Sequence, residues 1–210
     1  MILFPDPRKT SPEGLVAVGG PMNAEALVAA YQKGIFPWPQ PDLPWLWFSP
    51  QQRGVIDFAD QQINRSVKRA LRDWRGTEVS VNRAFTQVME ECRRQPRKGQ
   101  AGTWILPEMI GAYTELFRQG KALSLEVWKG EVLVGGVYGV LSDCPRGRYF
   151  SAESMFHLET GASKYALFQL IQELKPLGLK WMDVQMVTGL VEMFGGKYIS
   201  RDEFLARLGI

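Results

Sequence analysis

The apolar pattern predicts an α+β fold. A small N-terminal domain (residues 1–58) precedes a larger domain (residues 59–210), built on a mixed or antiparallel sheet flanked by helices. Three observations predict it. The first 58 residues are rich in Pro, Gly and Trp. From about residue 59 the spacing switches to helical stripes. Two apolar runs at the centre are joined by a Lys-Gly turn, the signature of a hairpin.

In chain order, Asn23 is placed to cap a helix whose apolar face is Ala26, Leu27, Ala30 and Tyr31 and whose stop is Gly34. The segment IFPWPQPDLPWLWFSP follows. Its five prolines argue against regular helix or central strand, so an ordered, aromatic-rich loop is expected. Asn64 precedes a stripe of Val67, Leu71 and Trp74, with Arg65, Lys68, Arg69 and Arg72 off that stripe. Phe85, Val88, Met89 and Cys92 repeat the spacing after Asn82, and Pro107 opens a helix running through Met109, Tyr113, Leu116 and Phe117 to Gly120. The hairpin is ALSLEVW, a Lys129-Gly130 turn, then EVLVGGVYGVL. A loop, SDCPRG, is expected to lead to the strand RYFSA. A helix with Leu167, Leu170, Ile171 and Leu174 precedes the strand LKWMDVQ, and Ser200 with Glu203 forms a capping box for the last helix.

Composition narrows the function. Hydrophobic residues make up 45% and charged residues 22%, as in ordinary globular proteins, and no apolar run approaches the ~20 residues of a membrane span. The opening MILFPDPRKT lacks the apolar segment and cleavage site of a signal peptide. Cys92 and Cys144 form no CxxC pair and have one His, His157, for company, which argues against a zinc site or disulfide framework and for a reducing cytoplasm. The net charge of +3 is uneven: between Asn64 and Lys98 ten Lys and Arg face four acids. Such a stretch is either a solvated helical face or a patch for nucleic-acid phosphates.

Several segments resemble the leucyl/phenylalanyl-tRNA–protein transferases. They are AYQKGIFPW (30–38), WFSPQQR (47–53), GTWI (102–105), SLEVWKGEVLVGGVYGV (124–140), FSAESMF (150–156), ASKYAL (162–167) and DVQ (183–185), in the family's order over nearly the whole chain. The resemblance implies a GNAT-like sheet domain. It also implies transfer of Leu or Phe, with Met as a further candidate donor, from charged tRNA to acceptor proteins beginning with Arg or Lys, marking them for degradation. A cytoplasmic monomer acting on these two partners, away from membranes, is expected. The chain departs from the family pattern at Thr188, Leu190 and Met193–Gly196, where Asn, His and Ser-Leu-Gly-Ala are usual, and at Gly161, where Asn is usual. Two alternatives stand beside this reading: an acetyl-CoA-dependent N-acetyltransferase, and a non-catalytic tRNA-binding relative. HLETGASKYA is not the pyrophosphate-binding turn that the first would need.

An aminoacyl ester is already activated, so no cofactor or metal is expected. The enzyme must supply proximity, a deprotonated amine and donors for the oxyanion. Asp183 and Gln185, two apart on a strand, share one face. They read either as a polar pair satisfied by backbone or, with the resemblance, as an electrostatic or basic group and an orienting amide. Glu153, among apolar residues, needs a strong partner. It either binds the donor's ribose or the acceptor's amino group, or pairs with Arg146, Arg148 or Lys164. The resemblance assigns Phe150, Met155, Leu167, Leu170 and Met182 to a pocket for the donor side chain, although each also suits a core position. Trp47, Phe48 and Trp104 are candidates to stack on the unpaired tRNA end or to pack internally. Arg65, Lys68, Arg69 and Arg72 are the expected phosphate contacts.

Overall fold

Side-chain caps start three of the helices where the sequence places them. Asn23 accepts from Ala26 N at the head of α1 (Ala24–Tyr31), Asn64 from Val67 N at α2 (Arg65–Asp73), and Ser200 from Glu203 N at α7 (Arg201–Leu208). The computed structural model describes residues 3–40, 42–96 and 103–210. Gly102 of the GTWI segment and Arg97 and Lys98 of the basic stretch lie outside them.

The architecture is α+β. The strands are β1 (Leu15–Val18), β2 (Phe36–Pro37), β3 (Leu46–Phe48), β4 (Gln52–Asp57), β5 (Glu78–Val81), β6 (Ala122–Lys129), β7 (Val132–Cys144), β8 (Gly147–His157), β9 (Trp181–Gln185) and β10 (Lys197–Ser200). The remaining helices are α3 (Phe85–Arg94), α4 (Pro107–Arg118), α5 (Ala162–Leu174) and the short α6 (Gly189–Glu192). A three-stranded sheet runs β1-β3-β2, and a seven-stranded sheet runs β10-β4-β9-β8-β7-β6-β5. Its pairs are antiparallel except β8 with β9.

Alternate residues of β6 feed opposite faces. Ala122 and Trp128 join a cluster with α1, α3 and α4, whereas Leu123, Leu125 and Val127 join one with α2 and α5. A third cluster seats α7 through Phe204, Leu205 and Leu208 against Val55 of β4 and Tyr149 of β8. Apolar residues of the small sheet and α1 (Phe36, Trp47, Leu27) therefore share a core with α3 and α4.

The structure differs from the expectations at several points. The aromatic segment contains two strands: Pro37 lies on the edge strand β2, where a missing N–H costs nothing, and the proline-free Leu46–Phe48 is the centre of the small sheet. SDCPRG is not a loop, because β7 runs through Cys144 and β8 begins at Gly147. The boundary at 58 falls after β4, a strand of the larger sheet. Strands β1, β4, β5 and β10, each no longer than six residues, lie outside the expected elements.

Candidate active site

The two parallel strands meet at only two register positions, Phe150 with Met182 and Ser151 with Asp183. Beyond these β8 continues to His157, while β9 ends in a turn at Gln185. A cavity of about 310 Å³ opens between them. The small sheet and its exit contribute Phe36, Pro37 and Trp38, and the chain before α4 adds Trp104. The other walls are Ala152–Met155 and His157 on β8, Ser163 on α5, Val184–Met186, and Thr188, Leu190 and Val191 at α6.

Bulges aim the polar groups. The β7–β8 register passes from Tyr138↔Ser154 to Gly139↔Ala152, so Glu153 is the extra residue on β8. The β4–β9 register passes from Gly54↔Gln185 to Val55↔Asp183, so Val184 is extra on β9. Gln185 then takes a left-handed φ of 53°, and Met186 N turns back to Val184 O at 2.5 Å. Gly54 makes this possible, because a Cβ there would stand 2.9 Å from the Met186 carbonyl carbon.

Glu153, half-buried at the cavity wall, accepts from Gln185 Nε2 at 3.0 Å and Tyr113 OH at 3.4 Å, and Ser151 Oγ stands 3.2 Å from it. The hydroxyls of Tyr113 and Tyr31 lie 2.7 Å apart behind it. Burial, reinforced by repulsion from Asp183, pushes its carboxyl up to about 7 against the pull of Tyr31 and Ser151. Burial, together with the Glu153 charge, raises both tyrosines well above the usual phenol range. Asp183 is fully buried. Its two oxygens accept from Arg53 Nε at 2.8 Å, Arg53 Nη2 at 2.7 Å, Ser151 Oγ at 2.7 Å and Gln185 N at 3.0 Å.

Such a largely apolar cavity with one titratable carboxylate and one anchored amide can hold an apolar group and take a proton from an amine beside it. A family model described as leucyl/phenylalanyl-tRNA protein transferase matches residues 55–209, and the model of that family's N-terminal domain matches residues 20–51. The chain belongs to the leucyl/phenylalanyl-tRNA protein transferase family. A transferase of that name from Anaeromyxobacter sp. (strain K) is 45% identical over 206 residues, covering 98% of this chain and 86% of the relative. One from Shewanella baltica (strain OS155) is 44% identical over 209 residues, covering 98% and 85%. A solved GCN5-related N-acetyltransferase-like protein from Streptococcus suis has a TM-score of 0.41 at 14% identity, covering 84% of this chain and 62% of its own.

Within this leucyl/phenylalanyl-tRNA protein transferase family member, the cavity brings together Glu153, Gln185, Met155 and Trp104 of the expected site residues. Asp183 does not reach it. A carboxylate offers about four acceptor positions and all four are taken, so no lone pair is left for an amine. Phe150, Leu167, Leu170 and Met182 are fully buried in the cluster under α5 and line no part of the cavity wall. Trp47 is 1% exposed, donates from Nε1 to Gly19 O at 2.9 Å and packs edge-on against Phe4, leaving no face for a base. Phe48 packs against Trp38 at 6.5 Å and is not on the wall. Glu153 takes neither Arg148, which pairs with Asp143, nor Lys164, which bonds Ser66 Oγ. Arg65, Lys68, Arg69 and Arg72 are exposed together along α2, where Arg69 and Arg72 share Asp73.

Sequence reasoning missed Phe36, Trp38 and His157 as wall residues. The first two carried a signal, standing inside AYQKGIFPW, whereas His157 carried none. Thr188 and Leu190, both departures from the family pattern, also face the cavity.

Proposed function

We propose that the cavity receives the 3′ end of an aminoacyl-tRNA and its apolar aminoacyl group, and that Glu153 receives the proton of the acceptor's α-amine. The amine nitrogen attacks the ester carbonyl carbon. A C–N bond forms, the C–O bond to the ribose breaks, and the proton passes from the amine to Glu153 and on to the ribose oxygen. Gln185 holds the Glu153 carboxylate in place from one side, while its own side-chain oxygen remains to orient the ammonium. Asp183 keeps Gln185 in position without meeting substrate.

The observation that carries this reading is the Glu153 carboxyl, raised to about 7 on the wall of an apolar cavity and so poised to exchange a proton near neutral pH. Met155, Trp104, Trp38 and Phe36 offer apolar and aromatic surface for a donor such as Leu or Phe, with Met possible, and for a terminal base. The acceptors are proteins with N-terminal Arg or Lys, marked for degradation in the cytoplasm, and the enzyme acts as a monomer. The exposed cations of α2 meet tRNA phosphates.

The test is direct. The protein is incubated with Leu-, Phe- or Met-tRNA, or with acetyl-CoA, and a peptide beginning with Arg, Lys or Ala. Transfer from charged tRNA to the Arg and Lys peptides alone is the expected result. Transfer from acetyl-CoA, or binding of tRNA without transfer, refutes the reading.

A further inference from the structure

The chemistry above leaves the buried charge of Arg53 without a role. Arg53, from the WFSPQQR segment, stands on β4 with 1% of its surface exposed. A guanidinium withdrawn from water is costly unless every N–H finds a partner in good geometry. Arg53 gives its fork to both oxygens of Asp183, at 2.8 and 2.7 Å, and its Nη1 to Gly34 O at 3.1 Å. Its planar head lies between two aromatic rings, 4.5 Å from the centroid of Phe36 and 4.4 Å from that of Phe204. Phe36 is also a wall of the cavity, so the charge that holds the carboxylate also holds that wall.

The hold continues from Asp183 toward the reacting groups. Asp183 accepts from the Gln185 backbone N at 3.0 Å, and Gln185 has the left-handed φ that a side-chain-bearing residue keeps only when its surroundings over-determine it. Asp183 also accepts from Ser151 Oγ, which in turn accepts from Gln185 Nε2 at 2.8 Å. Gln185 Nε2 ends on Glu153 Oε1 at 3.0 Å. Next to Arg53, Gly54 lets β4 pass under the Met186 backbone, so the strand that carries the charge also seats the turn.

We infer that Arg53 is a positioning residue for the transfer reaction: clamped between Phe36 and Phe204, it fixes Asp183 and through it the Gln185 turn, which keeps the Gln185 amide on Glu153. This rests on the roles proposed above for Glu153 and Gln185. Arg53 itself reaches no substrate. Lysine would keep the charge but cannot span both oxygens or lie flat between two rings.

The experiment compares wild type with Arg53→Lys, Asp183→Asn, the double variant and Glu153→Gln. For each, kcat at saturating Leu-tRNA and Arg-peptide is measured from pH 5.5 to 8.5, with tRNA affinity and melting temperature. Arg53→Lys is expected to fold, to bind tRNA within about twofold of wild type, and to lose roughly 30- to 100-fold in kcat, the scale of an ångström-size misplacement. Its pH profile keeps the acid limb, because Glu153 still titrates among Tyr31 of α1, Tyr113 of α4, Asp183 of β9 and the retained cation at 53. If Arg53 acts through Asp183, the double variant is no slower than the slower single variant. A kcat for Arg53→Lys within about threefold of wild type, or losses that multiply in the double variant, overturns the inference. An unimpaired Glu153→Gln refutes the proposed chemistry instead, while a dead Glu153→Gln beside a fast Arg53→Lys refutes Arg53 alone. If Arg53→Lys does not fold, Phe204→Leu replaces it, keeping the ion pair and removing one ring. Faster amide exchange at Gln185 together with a several-fold lower kcat supports the inference, and an unchanged exchange and rate overturns it.

Discussion

Replacing Glu153 with glutamine removes a charge while keeping shape and partners. A Gln oxygen can still accept from Gln185 Nε2, and its amide can face Tyr113 OH. What disappears is the proton. The folded protein holds the Glu153 carboxyl at about 7, against an ordinary 4.5 in an unfolded chain. Between those two pH values the native state keeps a proton that the unfolded state has released. The stabilising contribution is therefore full below about pH 4.5 and is lost as pH rises toward 7. At 1.36 kcal/mol for each pH unit, the loss is about 3 kcal/mol at most, and about 1–2 kcal/mol once water at the cavity mouth is allowed for. Urea denaturation of wild type and Glu153→Gln at pH 5, 6, 7 and 8 isolates it, because the Arg53–Asp183 pair is common to both and cancels. The advantage of wild type over Glu153→Gln should shrink by that amount from pH 5 to 8. The acid limb in kcat/KM near pH 7 should vanish with the carboxyl. A stability difference that is flat or rises with pH would refute the claim that burial holds this group protonated.

Two further outcomes follow from placement. Charge reversal of Arg65, Lys68 and Arg72 should weaken binding of every tRNA tested and reduce the slope of log affinity against log salt by about 2–3, Arg72 counting least because Asp73 already engages it. An unchanged slope would make α2 a plain solvated face. Met155→Ala should change the ranking of Leu-, Met- and Phe-tRNA in initial transfer rate by up to roughly tenfold, since it alters the cavity wall. Met182→Ala should instead cost about 2–5 kcal/mol of stability, read by denaturation, and scale all three donors alike. The reverse pattern would return Met182 to the pocket.

The helices and the central hairpin were legible because their signals are local: an Asn or Ser cap, a Pro at the first turn, an apolar stripe. Asp183, Gln185 and Glu153 were legible as polar residues set among apolar ones, and family resemblance gave them meaning. Their division of labour was not. It depends on two bulges, at Glu153 and Val184, which leave no mark in the residue pattern because bulging is decided by the partner strand. One extra residue on β8 turns Glu153 into the gap, while Asp183, one strand away, is enclosed by Arg53. Phe150, Leu167, Leu170 and Met182, which the resemblance assigns to the donor pocket, are fully buried and do not line the cavity. Periodicity reports which side chains avoid water, not whether a void lies beside them. Pro37 misled in the opposite sense: proline excludes a central strand, but an edge strand only two residues long accommodates it.

The partners of Arg53 also order events during synthesis. A chain made from its N-terminus presents Gly34, Phe36 and Arg53 long before Asp183 and Phe204 exist. Until then the guanidinium has no carboxylate, and burying it is strongly unfavourable, so the nascent chain leaves that part of β4 wet. Pairing residues 53 and 183 closes a loop of 130 residues, a slow kind of step that must wait for most of the other elements. A ribosome-bound intermediate can thus hold the β6–β7 hairpin and still have no cavity wall at Phe36 and no fixed amide at Gln185. Arg53 gains its full set of partners only once both β9 and α7 have been made.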